Sequence, residues 1–262
     1  MIRITTLQLK IGDQSKQENL DMVLRRLDAA PSADLILLPE LWPSGFFSFE
    51  SYRTDSEAMD GPLITALRRK VAEKATHTLI GSFVENDGNH LYNTTLLLGP
   101  DGQILAKYRK IHLFGFQSKE KQLLSPGDQI TVADLPWGRV GISTCYDLRF
   151  PELYRLMVDQ GATIFLIPSA WPLARLSAWR LFNQARAHEN LAYLLSCNCA
   201  GENRGIAFAG HSMVVDPFGN ILTEGGTAGE YVTAEIDPAL PLRARNEFPA
   251  LDDRVYQVSE KR

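Results

Sequence analysis

Short, uninterrupted apolar runs are the feature of this sequence that most constrains its fold. Residues 34–40 (DLILLPE) and 162–170 (ATIFLIPSA) each contain several consecutive apolar residues. A run of this kind is typical of a strand that is buried on both faces. Residues 138–145 (GRVGISTC) are also predicted to contain a strand, and helical periodicity flanks the run at 162–170, at residues 151–161 before it and at residues 176–190 after it. This alternation of strands and helices predicts parallel strand pairing.

Two further segments indicate antiparallel pairing. Residues 90–110 consist of two extended apolar stretches joined by the tight turn GPDG, and residues 210–224 repeat the arrangement around DPFG. Each is typical of a β-hairpin. Strands are also predicted at residues 2–9 and helices at residues 19–30 and 61–76. No linker or repeat divides the chain. We therefore expect one α/β domain over residues 1–262 with mixed sheets covered by helices, although periodicity alone does not give the number of sheets.

Composition and charge exclude several classes of partner. The formal charge of −4 and the pI near 5.8 argue against a general affinity for nucleic acid or an anionic membrane surface. No apolar run approaches the roughly 18–20 residues that cross a bilayer, and residues 1–14 lack the apolar core of a secretory signal. The three cysteines, an odd number, cannot form a disulfide framework. A reducing, cytoplasmic location is the resulting expectation.

Three strand ends carry reactive side chains, namely Glu40, Lys110 and Cys145. Strand ends are where side chains can converge on one crevice of a helix-covered sheet. A thiol attacks as a thiolate, a neighbouring carboxylate can remove its proton, and a lysine can stabilise a developing oxyanion. Singly, each has an ordinary alternative: a core cysteine, a capping or surface carboxylate, and a basic strand end. Together they are sufficient for acyl transfer.

Longer sequence blocks resemble a known family. LPELW (residues 38–42), YRKIHLF (108–114) and STCYDLRFPELYR (143–155) resemble, in order and spacing, the three defining blocks of the nitrilase superfamily of carbon–nitrogen hydrolases. The resemblance continues through IPSAW, RAHEN and VVDPFGN, and so covers nearly the whole chain. It implies a four-layer αββα sandwich with two mixed sheets, pairing of protomers through helices into a homodimer, and no metal or organic cofactor.

The resemblance also implies roles for individual residues. Glu40 matches the general base of the family, Lys110 its transition-state-stabilising lysine and Cys145 its nucleophile. Glu120, which precedes an L-S-P-G turn, matches a second glutamate that orients the lysine or a water, although a solvated loop is its alternative. The backbone N–H of Tyr146 is expected to join Lys110 in holding the oxyanion.

The residues around Cys145 have more structural interpretations. Asp147, Arg149 and Glu152 are expected to form an ion-pair network that fixes the turn at Cys145. His112 lies two residues after Lys110 and is expected to make a structural hydrogen bond. Ser–His–Asp catalysis is disfavoured because the chain has no G-x-S-x-G segment.

The substrate end of the pocket is predicted from SAWPLAR and LPELWPSGF, which resemble the corresponding segments of bacterial omega-amidases. Those enzymes hydrolyse the terminal amide of α-keto acid amides such as α-ketoglutaramate, whose carboxylate needs a cation. Arg175 is the candidate cation, with a solvated loop arginine as its alternative. Trp171, Phe46, Phe47 and Trp42 are candidate pocket walls, although such aromatic residues often belong to the core.

Two classes of function follow. The first is a small-molecule amidase that releases ammonia, with an omega-amidase as the leading expectation. Deaminated glutathione amidase, or another aliphatic amidase or carbamoylase, is the alternative within the superfamily. The second class is a catalytically silent binding protein that retains the residues Glu40, Lys110 and Cys145.

Overall fold

Strands dominate the layout of the chain in the computed structural model, which describes residues 1–258. In chain order the strands are β1 (Ile2–Gln8), β2 (Lys10–Ile11), β3 (Leu35–Leu37), β4 (His77–Asn86), β5 (Leu91–Leu98), β6 (Ile104–Arg109), β7 (Thr131–Leu135), β8 (Gly138–Ile142), β9 (Ile164–Ser169), β10 (Tyr193–Asn198), β11 (Ala200–Asn203), β12 (Ile206–Ala207), β13 (Met213–Val215), β14 (Ile221–Glu224) and β15 (Glu230–Ile236). The α-helices are α1 (Lys16–Asp28), α2 (Tyr52–Asp55), α3 (Pro62–Lys74), α4 (Glu120–Leu123), α5 (Pro151–Asp159), α6 (Leu176–Asn190) and α7 (Leu240–Glu247).

Two six-stranded sheets form the centre of the fold. The first has the order β15-β1-β3-β4-β5-β6 and the second β14-β13-β10-β9-β8-β7. Each sheet is parallel at its centre, through β1, β3 and β4 in one and β8, β9 and β10 in the other. Its outer strands pair antiparallel. The expectation of mixed sheets is confirmed.

Three apolar clusters fill the spaces between four layers. Residues such as Leu37 and Leu79 from the first sheet and Val140 and Leu166 from the second share one cluster, so the sheets pack face to face. A second cluster joins α1 and α3 to the outer face of the first sheet, and a third joins α5 and α6 to that of the second. The αββα sandwich implied by the resemblance is therefore confirmed.

Local chemistry explains where the outer helices begin. Ser15 and Glu18 form a reciprocal capping box at the start of α1, and Pro62 occupies the first turn of α3. The prediction placed the start of the first helix at residue 19, because it followed the apolar stripe alone. The helix begins at Lys16 since the cap, rather than the stripe, satisfies its first N–H groups.

One element was not predicted, a small third sheet of β2, β11 and β12. Strand β10 ends at Asn198, and the chain continues directly into β11, which pairs in parallel with β2. Separately, no helix in residues 1–258 is long and apolar enough to span a membrane.

Candidate active site

Four strand ends converge at one end of the sandwich, between the two sheets. Glu40 follows β3 by three residues and Lys110 directly follows β6, both in the first sheet. Cys145 follows β8 by three residues in the second sheet. The backbone N–H of Glu40 donates to the carbonyl of Ser169, the last residue of β9, at 3.3 Å. This bond joins the two sheets at the point where the predicted residues meet.

A fully buried charge cluster forms the floor of the site. Lys110 Nζ lies 2.8 Å from Glu40 Oε1, and 3.0 and 3.1 Å from the two carboxylate oxygens of Glu120. All three side chains are 0% exposed. The Nδ2 of Asn93 donates to the same two oxygens, Glu40 Oε1 at 2.8 Å and Glu120 Oε1 at 2.9 Å. The alternative interpretation of Glu120 as a solvated loop residue is therefore wrong.

Burial and neighbouring charge act in opposite directions on this cluster. Burial disfavours the ammonium of Lys110, but the two carboxylates outweigh it and raise the pKa of Lys110. Burial also raises the pKa of Glu120; Lys110 opposes that rise and the charge of Glu40 adds to it. Lys110 thus remains a cation, and two carboxylates share it.

Cys145 sits on a sharp turn beside this floor. Its φ of 49° lies in the left-handed region, and it begins a 3₁₀ turn, Cys145–Arg149. Burial raises the pKa of the thiol well above its usual value, and the Glu40 charge raises it further. The Glu40 carboxylate lies close to the thiol, and its Oε2 accepts the N–H of Ala170 at 2.9 Å. The resting thiol is therefore protonated and next to a base.

Asp147 fixes this turn and links it to the lysine segment. Its carboxylate accepts the backbone N–H groups of Thr144 at 2.8 Å and His112 at 3.0 Å, and the hydroxyl of Tyr108 at 2.7 Å. His112 Nδ1 also lies 2.7 Å from it, which agrees with the predicted structural hydrogen bond of His112. The hydrogen bonds of the Asp147 carboxylate therefore connect the ends of β6 and β8.

The predicted ion-pair network at this turn is wrong for two of its three members. Within residues 1–258, neither Arg149 nor Glu152 pairs with Asp147. The tyrosine, histidine and backbone donors occupy the Asp147 oxygens, and the 3₁₀ turn directs Arg149 the other way, towards the cavity.

A cavity of about 30 Å³ opens beside Cys145. It is lined mainly by aromatic and cationic side chains together with the nucleophile turn: Phe46, Phe47, Phe114, Cys145, Tyr146, Arg149, Ala170, Trp171, Pro172 and Arg175. Five of the residues predicted for substrate or oxyanion binding are thus in the lining, namely Phe46, Phe47, Tyr146, Trp171 and Arg175.

Trp42 is not among the lining residues, and its assignment as a pocket wall is wrong. Its indole is 1% exposed and packs in the cluster between the first sheet and its helices. The indole N–H donates to the carbonyl of Ile80 at 2.8 Å. Leu41, with a φ of 43°, reverses the chain after Glu40, so that Trp42 points back into this core layer.

Two arginines with no anionic partner line the cavity. The guanidinium of Arg175 lies 5.4 and 5.6 Å from the ring centroids of Phe114 and Phe116. Arg149 lies 5.2 Å from Trp171 and 5.0 Å from Phe182. In the part of the chain that the structure describes, neither guanidinium forms an ion pair with a carboxylate. Arg149 was missed from the sequence, although its position four residues after Cys145 was a usable signal.

Comparisons with known proteins identify the family of this chain. Residues 3–245 match the family model described as "Carbon-nitrogen hydrolase". The 2-oxoglutaramate amidase of Paenarthrobacter nicotinovorans is 35% identical, over 91% of this chain and 84% of its own length. A CN-hydrolase superfamily structure from Xanthomonas campestris, with an arsenic adduct in its active site, superposes with a TM-score of 0.91 at 30% identity, covering 98% of this chain and 99% of its own.

A second solved structure adds chemical information about its own site. It is a mutant of the amidase from Nesterenkonia sp. AN1, in which the acetamide moiety of fluoroacetamide is covalently added at the active-site cysteine. It superposes with a TM-score of 0.80 at 26% identity and covers 97% of both chains.

Proposed function

Because the chain belongs to the carbon–nitrogen hydrolase family, we propose that it hydrolyses the terminal amide of a small carboxylate-bearing acid, releasing ammonia through a thioester on Cys145. The substrate class that we favour is an α-keto acid ω-amide such as α-ketoglutaramate. The observation that carries the proposal is the combination of groups at one cavity. The same cavity is lined by a thiol that has its base and lysine beside it and by two arginines that have no carboxylate partner within residues 1–258.

Formation of the nucleophile is the first step of the proposed mechanism. The thiol of Cys145 is protonated at rest because burial and the Glu40 charge raise its pKa. Glu40 accepts the thiol proton as the sulfur attacks the amide carbon, so the unstable thiolate forms only in the presence of substrate. A C–S bond forms and the carbonyl becomes a tetrahedral oxyanion.

Lys110 is the first proposed donor to that oxyanion. Its ammonium carries three hydrogens and contacts three carboxylate oxygens, one of Glu40 and two of Glu120; one hydrogen shared between the two Glu120 oxygens leaves a third for the oxyanion. Its Nζ also lies 5.4 Å from the ring centroid of Phe46, a cavity residue. The backbone N–H of Tyr146 is the second proposed donor, since it follows the nucleophile directly. Fixed donors in a buried site stabilise developing charge strongly because they need no reorganisation.

Release of ammonia and of the acid completes the cycle. Collapse of the tetrahedral intermediate breaks the C–N bond, and the proton held by Glu40 passes to the departing nitrogen. A water then gives its proton to Glu40 and attacks the thioester carbon. The C–S bond breaks, the carboxylic acid leaves, and the proton returns to the sulfur of Cys145. Glu120 stays ionised beside Lys110 and orients it throughout.

Arg175 and Arg149 support the choice of substrate. An uncompensated guanidinium attracts a carboxylate and can bind it in a bidentate manner. In an α-keto acid amide, the carboxylate and the neighbouring keto oxygen lie at the end opposite the amide, so each arginine has an oxygen to bind. The cavity of about 30 Å³, with walls of Phe46 and Trp171, is narrow, which favours such a short substrate over the tripeptide-sized deaminated glutathione.

A screen of ammonia release tests this proposal. The panel contains α-ketoglutaramate, α-ketosuccinamate, deaminated glutathione, aliphatic amides, N-carbamoyl amino acids and nitriles. We expect the highest kcat/KM with an α-keto acid amide, none in Cys145→Ser, and unchanged activity in the matched variant Cys197→Ser. Highest activity with uncharged amides would refute the substrate class. Full activity in Cys145→Ser would refute the mechanism.

Selective alkylation separates an enzyme from a catalytically silent binding protein. Cys145, Cys197 and Cys199 are all free and buried, and burial raises the pKa of each. Only Cys145 lies at the cavity, next to a base. We expect iodoacetamide to modify Cys145 first, whereas a silent protein would show no selectivity.

Assembly and location are further parts of the proposal. A homodimer formed through helices, a single domain over residues 1–262 and a reducing, cytoplasmic environment remain our expectations. The three free cysteines support the last of these. Light scattering on the purified chain tests the dimer, and a monomeric mass at micromolar concentration would contradict it.

A further inference from the structure

Asn93 is a buried residue of the site to which neither the sequence nor the mechanism above gives a role. It lies on β5 and is 1% exposed. Its Nδ2 places one hydrogen on Glu40 Oε1 and the other on Glu120 Oε1, two of the three oxygens that Lys110 contacts. Its own backbone carbonyl accepts the N–H of Lys110 at 2.9 Å. The residue therefore touches every charged member of the floor.

The orientation of this amide is set by the carboxylates. Its Oδ1 is buried and has no hydrogen-bond partner in residues 1–258. Reversing the amide would point that oxygen at two carboxylate oxygens, which would repel it. A buried acceptor without a donor costs free energy. The orientation is maintained because the two hydrogen bonds from Nδ2 to the carboxylates outweigh that cost.

The charges explain why such a donor is needed. Glu40 and Glu120 together carry two negative charges against the single positive charge of Lys110, all three being fully buried. A pair of carboxylates that shares one cation tends to bind a proton, because each charge disfavours the other. Hydrogen bonds to the ionised form oppose that tendency. Asn93 supplies one such bond to each carboxylate without adding charge.

The other titratable groups described near this carboxylate pair do not supply a second positive charge. Burial raises the pKa of Tyr52 and of Cys199, and the charge of Glu40 raises both further. Both side chains therefore stay neutral at the pH of catalysis. Cys145 is likewise protonated at rest. Lys110 is the one cation among these neighbours, and the backbone N–H groups of Phe114 and Ala170 complete the set of donors.

From this geometry we propose that Asn93 is a positioning residue that keeps the Glu40–Glu120 pair free of a shared proton, and thereby sets the lower pH limit at which Glu40 can activate Cys145. The inference rests on the proposed role of Glu40 as the base. It extends that role, since it assigns the ionisation of the base to an uncharged residue on a neighbouring strand.

Alkylation of Cys145 by iodoacetamide as a function of pH tests this role without any substrate. We expect the acid limb of the rate profile to move up by about one pH unit in the near-isosteric Asn93→Leu, so that the rate on that limb falls about 10-fold. Asn93→Asp, which adds a third carboxylate, should move it further. Asn93→Ala removes the donors without adding bulk, and replaces Asn93→Leu if that variant does not fold.

Asn183→Asp is the matched control. Asn183 is also fully buried with an unpartnered Oδ1, but its Nδ2 donates to the carbonyl of Trp179 on the same helix. The control should melt at a lower temperature, but the pH midpoint of its Cys145 alkylation profile should equal that of the wild type. An unchanged midpoint in the Asn93 variants, with only a lowered melting temperature, would show a packing role and overturn the proposal. A shifted midpoint in a chain that hydrolyses no amide would instead refute the proposed function alone.

Discussion

The two charged parts of the site, the buried floor and the arginines that line the cavity (here called the rim), differ in how far their charges are paired before substrate binds. At the floor, Lys110 and its two carboxylates are fully buried, and each oxygen of Glu40 and Glu120 accepts at least one hydrogen bond. At the rim, Arg149 and Arg175 are only partly buried, stack on aromatic rings and have no carboxylate partner within residues 1–258. The charges of the floor are thus paired before substrate binds, whereas the arginines of the rim are available to bind an anion.

This difference follows from what each side does in the reaction. Catalytic donors act best when they are already oriented towards the charge that develops in the transition state. A specificity site gains most when its charge remains uncompensated until the substrate binds, since the carboxylate then has no internal anion to displace. Changes at the floor should therefore reduce kcat, and changes at the rim should raise KM.

Lys110→Met gives the largest expected effect at the floor. Loss of one oxyanion donor alone lowers kcat about 10²–10³-fold, and the variant also leaves two buried carboxylates without a cation. Steady-state ammonia release and thermal melting measure the two consequences. Lys107→Met is the matched control, because Lys107 is more exposed and pairs with Glu85 outside the site. A kcat within a few-fold of wild type would remove Lys110 from the mechanism.

Arg175→Met and Arg149→Met are expected to affect binding. Each should raise KM for a carboxylate-bearing amide about 10–100-fold, the scale of one charge-assisted hydrogen-bonded contact of about 1.5–3 kcal/mol. The same variants should change KM for an uncharged amide little, which separates lost recognition from lost folding. Arg180→Met is the control, since Arg180 pairs with Glu224. Equal losses on charged and uncharged amides would show that the arginines support structure rather than specificity.

Asp147→Asn tests whether the hydrogen bonds of Asp147 support catalysis, as the floor does, or substrate binding. The carboxylate accepts three N–H or O–H donors and faces His112, so an amide would oppose at least one of them at a cost of about 1–3 kcal/mol. We expect a lower melting temperature and a kcat reduced about 10-fold, as the turn at Cys145 loosens. KM should stay nearly constant. A raised KM at constant kcat would assign Asp147 to the rim instead.

Ionic strength gives the smallest effect. Salt screens exposed charges and has little influence on fully buried ones, with a Debye length of about 10 Å at 0.1 M. Raising the salt concentration should therefore increase KM for the carboxylate-bearing amide a few-fold and leave kcat unchanged. The opposite pattern, a fall in kcat at constant KM, would mean that the floor is open to solvent.

The floor could be predicted from the sequence and the rim only in part, for a physical reason. Glu40, Lys110 and Cys145 each follow a strand of the two central sheets, so the sheet geometry itself directs them to one edge. Rim positions lie on turns, where a single backbone angle decides the direction of a side chain. The φ of 43° at Leu41 sends Trp42 into the core.

The positions of Arg149 and Asn93 could not be predicted because they depend on contacts between residues that are distant in sequence. Arg149 was assigned to an ion pair because Asp147 is close in sequence, but Tyr108 of β6 and His112, which follows that strand, occupy the carboxylate. Asn93 reads as an ordinary strand residue within YNTTLLL, and only the pairing of β5 with β4 and β6 brings its amide to the carboxylates. Such long-range partners need the assembled sheet.

Trapping of the acyl-enzyme is the most direct test of the central claim that Cys145 forms the thioester. The wild-type protein would be mixed with excess α-ketoglutaramate, quenched in acid during turnover, and analysed by intact mass and peptide mapping. The account predicts an added acyl group on Cys145 alone, absent from Cys145→Ser. Ammonia release with Cys145 unmodified in every quenched sample, or an acyl group carried by Cys197 or Cys199, would contradict it.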